Sequence, residues 1–195
     1  MWNKRYASTE YVYGTEPNAF LAEHAHRLSG PVLSLAEGEG RNAVFLAGLG
    51  LRVLGVDSSD VGLRKAHALA ATRQVTIETE VADLAHFTPA PSQYGAVVSI
   101  FAHLPGTLRE RLYPLIEESL LPGGLVLMEA YTEEQLAYGT GGPKDVDLLM
   151  SVAKIEQGFP GLEPVLLRRV EREVREGLFH TGLASVVQFI GRKKG

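Results

Sequence analysis

The stretch "SLAEGEGRN", Ser34 to Asn42, lies between two apolar runs, and the fold turns on how it is read. Pro31-Val32-Leu33-Ser34-Leu35 before it has the character of a buried strand. Ala43-Val44-Phe45-Leu46-Ala47 after it has that of a buried helix. Gly38 and Gly40 tolerate a positive φ and let a ligand approach bare backbone. A tight turn from strand into helix aims unpaired N–H groups at whatever lies above it. The stretch therefore predicts a strand–turn–helix unit with a small-molecule pocket at its crest.

The surrounding chain fits such a unit. Its 195 residues, 45% hydrophobic and 22% charged, suit one domain, 1–195, with a sizeable core. The absence of cysteine excludes disulfides, thiolate metal sites and cysteine nucleophiles, and suits a reducing cytoplasm. A formal net charge of −4 offers no basic field for nucleic acid or an anionic membrane. Neither a signal-peptide core nor an apolar run near the ~20 residues of a membrane span is evident, so a cytoplasmic location is expected.

Strand and helix signals alternate along the first two thirds. After an aromatic segment with Trp2, Tyr6, Tyr11 and Tyr13, a helix is expected from Thr15 as cap, with Pro17 in its first turn, to about Arg27. Residues 1–28 form this N-terminal segment and helix, a candidate lid. Strands are expected at Val32–Leu35, Arg52–Val56, Val75–Glu78, Ala96–Ile100 and Leu125–Ala130. Helices are expected at Asn42–Leu49, Asp60–Ala71 and Thr107–Leu120. This alternation argues for a doubly wound α/β fold, a mostly parallel sheet with helices on both faces. Further on, Asp145–Glu156 reads as a helix, and Pro164–Val174 and Leu183–Gly191 as strands joined near Gly177. Strands joined by a short turn are antiparallel. The charges from Arg168 to Arg175 read as a solvated strand face.

Ligands of such sheets bind at the carboxyl ends of the strands. The second strand ends at Asp57, placed to accept from both hydroxyls of a ribose. The third leads to Asp83, placed for an exocyclic amine. The fourth runs into Phe101-Ala102-His103, and the fifth, after Leu121-Pro122-Gly123-Gly124, ends at Glu129-Ala130-Tyr131.

In that succession the chain resembles the class I S-adenosylmethionine-dependent methyltransferases. The resemblance spans nearly the whole chain. "WNKRYASTEYVYGTEPNAFL", "GEGRN", "AHLP" and "EAYTEEQLAYGTGGPKD" are similar to a small bacterial subgroup akin to the tellurite-resistance and thiopurine methyltransferases. It implies a Rossmann-like seven-stranded sheet with an antiparallel C-terminal strand. S-adenosylmethionine is the implied cofactor. Its implied contacts are Glu37, Gly38, Glu39, Gly40 and Asn42 at the turn, Asp57 and Ser58 at the ribose, and Ala82, Asp83 and Leu84 at the adenine. Phe101, Trp2 and Tyr13 complete the set. The family often has an acidic residue where this chain has Ser34, and a glycine where it has Ala36; Ala36 fits if its φ is negative.

The implied reaction is methyl transfer to a small-molecule acceptor, with sulfur or metalloid nucleophiles first. Such soft acceptors need no base; a hydroxyl or amine does, and His103 and Glu129 are its candidates. Tyr11, Tyr131, Tyr138 and His180 are candidate acceptor contacts, and the Tyr138–Pro143 loop a candidate flap. No metal site is expected, since His24 and His26 face different ways on a helix. Two rival readings stand beside this one. Gly38-x-Gly40-x-x-Ala43 with Asp57 also meets the pattern of an NAD(P)-binding oxidoreductase, although the chain has no room for a substrate domain. A methyltransferase-like binding module without catalysis is the other.

Overall fold

The computed structural model describes residues 2–177 and 180–195, and of His180 the backbone alone. Among these residues seven strands form one sheet in the order β3-β2-β1-β4-β5-β7-β6. They are β1 Val32–Leu35, β2 Val53–Asp57, β3 Glu78–Val81, β4 Tyr94–Ile100, β5 Leu120–Tyr131, β6 Leu162–Glu176 and β7 His180–Lys193. The helices are α1 Trp2–Arg5, α2 Ala19–His24, α3 Arg41–Gly48, α4 Asp60–Thr72, α5 Gly106–Ser119 and α6 Val152–Gly158. β1 to β5 pair in parallel, and β7 is antiparallel to both β5 and β6.

β1 and β4 are buried along their whole length, which explains their unbroken apolar sequences. One face of the sheet packs on α5 and α6 through Leu112, Ile116, Ile155 and Phe159. The other packs on α2, α3 and α4 through Phe20, Leu21, Leu46, Ala66 and Leu69. Because β2 lies to one side of β1 and β4 to the other, the chain reverses direction across the sheet between β1 and β4. A crevice opens there at the strands' carboxyl ends.

Several elements lie elsewhere than the sequence suggests. The helix expected from Thr15 is α2, capped by Asn18, whose side chain accepts from Leu21 N, so Thr15 and Pro17 precede it; the turn that follows it, Ala25–Arg27, tightens to 3-10. The third strand is at 78–81 rather than 75–78. Val75 N is still bonded to Ala70 O at the exit of α4, and pairing with β2 begins at Glu78. Its polar sequence is that of an exposed edge strand. The expected 145–156 helix is broken. A 3-10 turn, Val146–Leu148, gives way to extended residues where Met150 N bonds Tyr131 O, and Ser151 then caps α6. Leu149 and Met150 are buried against the sheet, and that burial outweighs helix continuity.

Candidate active site

The glycine turn is built from beneath. Glu37 turns under it, and both carboxylate oxygens are engaged: Oε1 accepts from Ala43 N (2.9 Å) and Oε2 from Ser34 Oγ. It thus satisfies an orphan N–H in the first turn of α3, which has no capping side chain at Gly40. Burial raises its pKa, opposed by those hydrogen bonds. Ala36 just before it has φ 52°, contrary to the negative φ expected from its side chain. A left-handed non-glycine residue costs roughly 1–2 kcal/mol.

The two glycines serve different ends. A Cβ on Gly38 would lie 2.7 Å from the Tyr6 hydroxyl, and one on Gly62 would lie 3.0 Å from the Tyr6 ring. Tyr6 is seated in the notch that these two glycines leave, and is buried. A Cβ on Gly40 would strike Ala66, so Gly40 brings α3 and α4 together and does not line the crevice.

Glu39 acts away from the crevice floor. Its Oε2 accepts from Val12 N (2.8 Å) and Tyr13 N (3.4 Å), and its Oε1 pairs with Lys65. Lys65 in turn donates to the carbonyls of Ser8 (3.0 Å) and Glu10 (2.7 Å). The aromatic N-terminal segment is held across the turn by this pair. Trp2 stacks on Tyr6 at 5.7 Å and stays 37% exposed at the rim, while Tyr13 meets Tyr6 edge-on at 6.4 Å.

Asp57 closes β2. Its Oδ2 accepts from Gly38 N (2.9 Å) and its Oδ1 from Ser59 N (2.8 Å), leaving acceptor capacity on each oxygen. Burial raises its pKa against these bonds. Asp83 is exposed and accepts from Ala85 N (2.9 Å). Arg41 pairs with Glu176 at 2.5 Å, and its Nη1 is buried without a hydrogen-bond partner among the described residues.

The crevice has a volume of ≈ 680 Å³. Of the expected contacts, Trp2, Tyr13, Glu37, Gly38, Glu39, Asn42, Asp57, Ser58, Asp83, Leu84, Phe101 and His103 line it. Ala82 does not; it packs against the core. Tyr6 of the aromatic segment and Gly142 and Pro143 of the candidate flap also line it, whereas Arg5, Ala36, Arg41, Leu104, Pro105, Leu108 and Leu148 line it without having been expected. For Ala36, Leu104 and Pro105 the sequence signal was adjacency to strand ends.

Besides Gly40 and Ala82, four further candidates lie outside the crevice. Glu129 is fully buried and accepts from Asn18 Nδ2 (2.8 Å), Arg172 Nε (3.0 Å) and Nη2, and Gln188 Nε2 (2.6 Å). Every lone pair is used, so it is no base. Arg172 and Glu176 belong to the same buried network, so the 168–175 run is only partly a solvated face. Tyr131 is buried behind His103, stacked on it at 5.4 Å. Tyr11 points away and donates to Lys65 O (3.0 Å). Tyr138 lies outside the lining, beside Glu171. The side chain of His180 lies outside the described residues.

The described residues contain no cluster able to hold a metal and no helix long and apolar enough to cross a membrane. Residues 32–124 match the family model of the methyltransferase domain. A 2-heptyl-1-hydroxyquinolin-4(1H)-one methyltransferase of Mycobacteroides abscessus is 28% identical over 123 residues, 62% of this chain and 54% of its own length. The chain thus spans about half of that relative. TehB from Haemophilus influenzae superposes with a TM-score of 0.73 at 17% identity, over 99% of this chain and 66% of that one. A structure from work on conversion of a disulfide bond into a thioacetal group in echinomycin biosynthesis superposes with a TM-score of 0.79 at 20% identity, over 99% and 91% of the two chains. The chain has the seven-stranded fold of these solved structures and, over residues 32–124, the signature of a methyltransferase domain.

Proposed function

We propose that the protein transfers a methyl group from S-adenosylmethionine to a small organic acceptor. The observation that carries this reading is the division of the crevice. One half is lined by the charged residues Arg5, Glu37, Glu39, Arg41, Asp57 and Asp83; the other, from segments 100–108, 141–143 and Leu148, has no formal charge. The charged half suits an amino acid joined to a nucleoside. Asp57 has lone pairs left for ribose hydroxyls, and Asp83 an exposed carboxylate for an exocyclic amine.

The cofactor, when bound, supplies an electrophilic methyl on a sulfonium that departs as a neutral thioether. No acid is needed for that departure. The protein has to align the acceptor and exclude water. Tyr6 and the strap latched by Glu39 cover the turn from one side, and Gly142 and Pro143 border the crevice from the other.

The relative's acceptor, a heptyl-hydroxyquinolinone, supports a small organic substrate. Of the soft nucleophiles suggested by the sequence, a neutral thiol fits the uncharged half. A metalloid oxyanion fits it poorly, because an unpaired anion there loses its hydration without a cationic partner.

Calorimetry with S-adenosylhomocysteine and NAD tests the reading. Micromolar binding of the first, negligible binding of the second, and a loss of at least about 10²-fold in Asp57→Ala are expected, from two charge-assisted hydrogen bonds at roughly 1.5–3 kcal/mol each. Preferential NAD binding would instead support the oxidoreductase reading. Tight cofactor binding with no methyl transfer to any acceptor would support the non-catalytic module.

A further inference from the structure

The segment Gly139-Thr140-Gly141-Gly142 borders the uncharged end of the crevice through Gly141 and Gly142. Three glycines in four residues give it little stiffness of its own. Thr140, between them, is held from two sides. Its Oγ1 donates to Leu183 O of β7 (2.6 Å) and accepts from Gln135 Nε2 (3.0 Å). Its methyl fills the space that Gly182 leaves, since a Cβ on Gly182 would lie 2.8 Å from Thr140 Cγ2. Gln135 is 1% exposed, and its amide is engaged on both atoms. The Nε2 also donates to Gly141 O (3.2 Å), and the Oε1 accepts from Ser185 N (2.9 Å). One buried amide thus ties the crevice segment to β7.

The other end of the segment rests on a ring. A Cβ on Gly142 would lie 2.8 Å from Tyr131 Cδ2, so the bare backbone lies directly against that side chain. Tyr131 is buried and stacks on Phe101 at 4.6 Å and on His103 at 5.4 Å, which leaves the ring no room to move aside. Gly142 is therefore located twice, by the Thr140 pin before it and by the Tyr131 ring beneath it.

We infer that Thr140, which does not itself line the crevice, sets acceptor selectivity: it holds Gly141 and Gly142 as a fixed wall on Tyr131, and acceptors are sorted by the shape of the body that lies against that wall. This rests on the methyltransferase reading above and adds the residue that gives its acceptor end a shape. The glycine content alone suggests a flap; the hydrogen bonds and the ring contact make it a wall. A loose loop adapts to each acceptor and loses ordering entropy in doing so. A pinned one does not adapt, so a misfitting group leaves a void or displaces hydrogen-bonded backbone. Because this end of the crevice has no formal charge, shape is the property left for it to read. Thr140 is a positioning residue that acts through the two glycines after it.

The test uses the full chain and two variants. Thr140→Val keeps a methyl in the gap at Gly182 and removes both hydrogen bonds; Thr140→Ser keeps the hydroxyl. Backbone amide order parameters of Gly141 and Gly142 from NMR relaxation should be ~0.85 in the wild type and Thr140→Ser, and below ~0.6 in Thr140→Val. Kinetics use labelled S-adenosylmethionine with thiophenols, phenols and anilines, each bearing para-alkyl groups from methyl to hexyl, so that sorting is read on whichever nucleophile reacts. Along a reacting series kcat/KM should span at least ~10-fold in the wild type and Thr140→Ser but only about threefold in Thr140→Val, the change falling on KM more than on kcat. Affinity for S-adenosylhomocysteine should stay within about twofold in all three proteins, under ~0.5 kcal/mol, which reports an intact fold. Order parameters below ~0.6 in the wild type would overturn the wall and make the segment a flap. A loosened Thr140→Val that sorts acceptors as the wild type does would overturn the selectivity role, and a Thr140→Ser that behaves like Thr140→Val would overturn the hydrogen-bonded pin. A wild type that binds S-adenosylhomocysteine but methylates no series would overturn the selectivity role and favour the non-catalytic module. One that binds no S-adenosylhomocysteine would overturn the methyltransferase reading itself, and the selectivity role with it.

Discussion

Arg172→Ala should be among the most damaging single changes away from the crevice. Arg172 donates to both carboxylate oxygens of Glu129, and to Glu176 Oε1 at 3.1 Å. Glu129 is 0% exposed, and Glu176 is paired on its other side with Arg41. Two carboxylates and two guanidiniums balance in this network. Removing one guanidinium leaves an uncompensated buried negative charge, which costs about 3–5 kcal/mol. With a urea m-value of ~2 kcal/mol/M, the unfolding midpoint should fall by roughly 1.5–2.5 M. Arg175→Ala, at an exposed position of the same strand, should stay within about 0.5 kcal/mol of wild type. Adding Glu129→Gln to Arg172→Ala should recover part of the loss, because it removes the stranded charge. A midpoint for Arg172→Ala that coincides with Arg175→Ala would refute the buried-network account and restore a solvated strand face.

Other expectations follow from the same geometry. Ala36→Gly relieves a φ of 52° and should raise stability by up to about 1 kcal/mol in thermal or urea unfolding, part of the relief being offset by the unfolded-state entropy of glycine. Glu39→Gln breaks the charge pairing with Lys65 and weakens the hold on the Val12 and Tyr13 amides, so Trp2 fluorescence should become more solvent-like and cofactor binding weaker, with the sheet intact by circular dichroism. His103 has a folded pKa of about 4, below its ordinary 6.5, because burial disfavours its charged form. The stability tied to it is therefore fully present above pH 6.5 and drains away as pH falls toward 4, by at most about 3 kcal/mol. NMR titration of its ring should show no protonation between pH 7.5 and 5.5, and a midpoint near 6.5 would contradict the enclosed, neutral imidazole.

The fold was legible because its signals are local and repeated. Apolar strands that end in a polar residue and lead into helical periodicity dictate a parallel sheet, and a hairpin about Gly177 dictates the antiparallel finish. Misplaced elements lie where tertiary contacts outweigh local propensity. The polar edge strand at 78–81 has no buried face to advertise it, and Leu149-Met150 leaves helical geometry to pack beside β5.

The site divides along the same line. Gly38 and the carboxylate of Asp57 are set by the turn and the strand end, and their place in the chain was enough to put them at the crevice, whereas Gly40 of the same turn packs against α4. Side-chain direction was not. Glu129 and Tyr131 end the same strand as neighbours of the crevice in sequence, yet one is consumed by Arg172, Asn18 and Gln188 and the other by ring stacking behind His103. Glu39, read as a cofactor contact, spends its carboxylate on holding the N-terminal strap. Which carboxylate is left for a ligand and which is neutralised by the protein depends on partners up to 158 residues away, as Asn18 and Glu176 show. The sequence by itself thus determined the sheet, the turn and the position of the crevice; only the tertiary structure, by bringing distant charges into contact, decided which side chains remain free to act there.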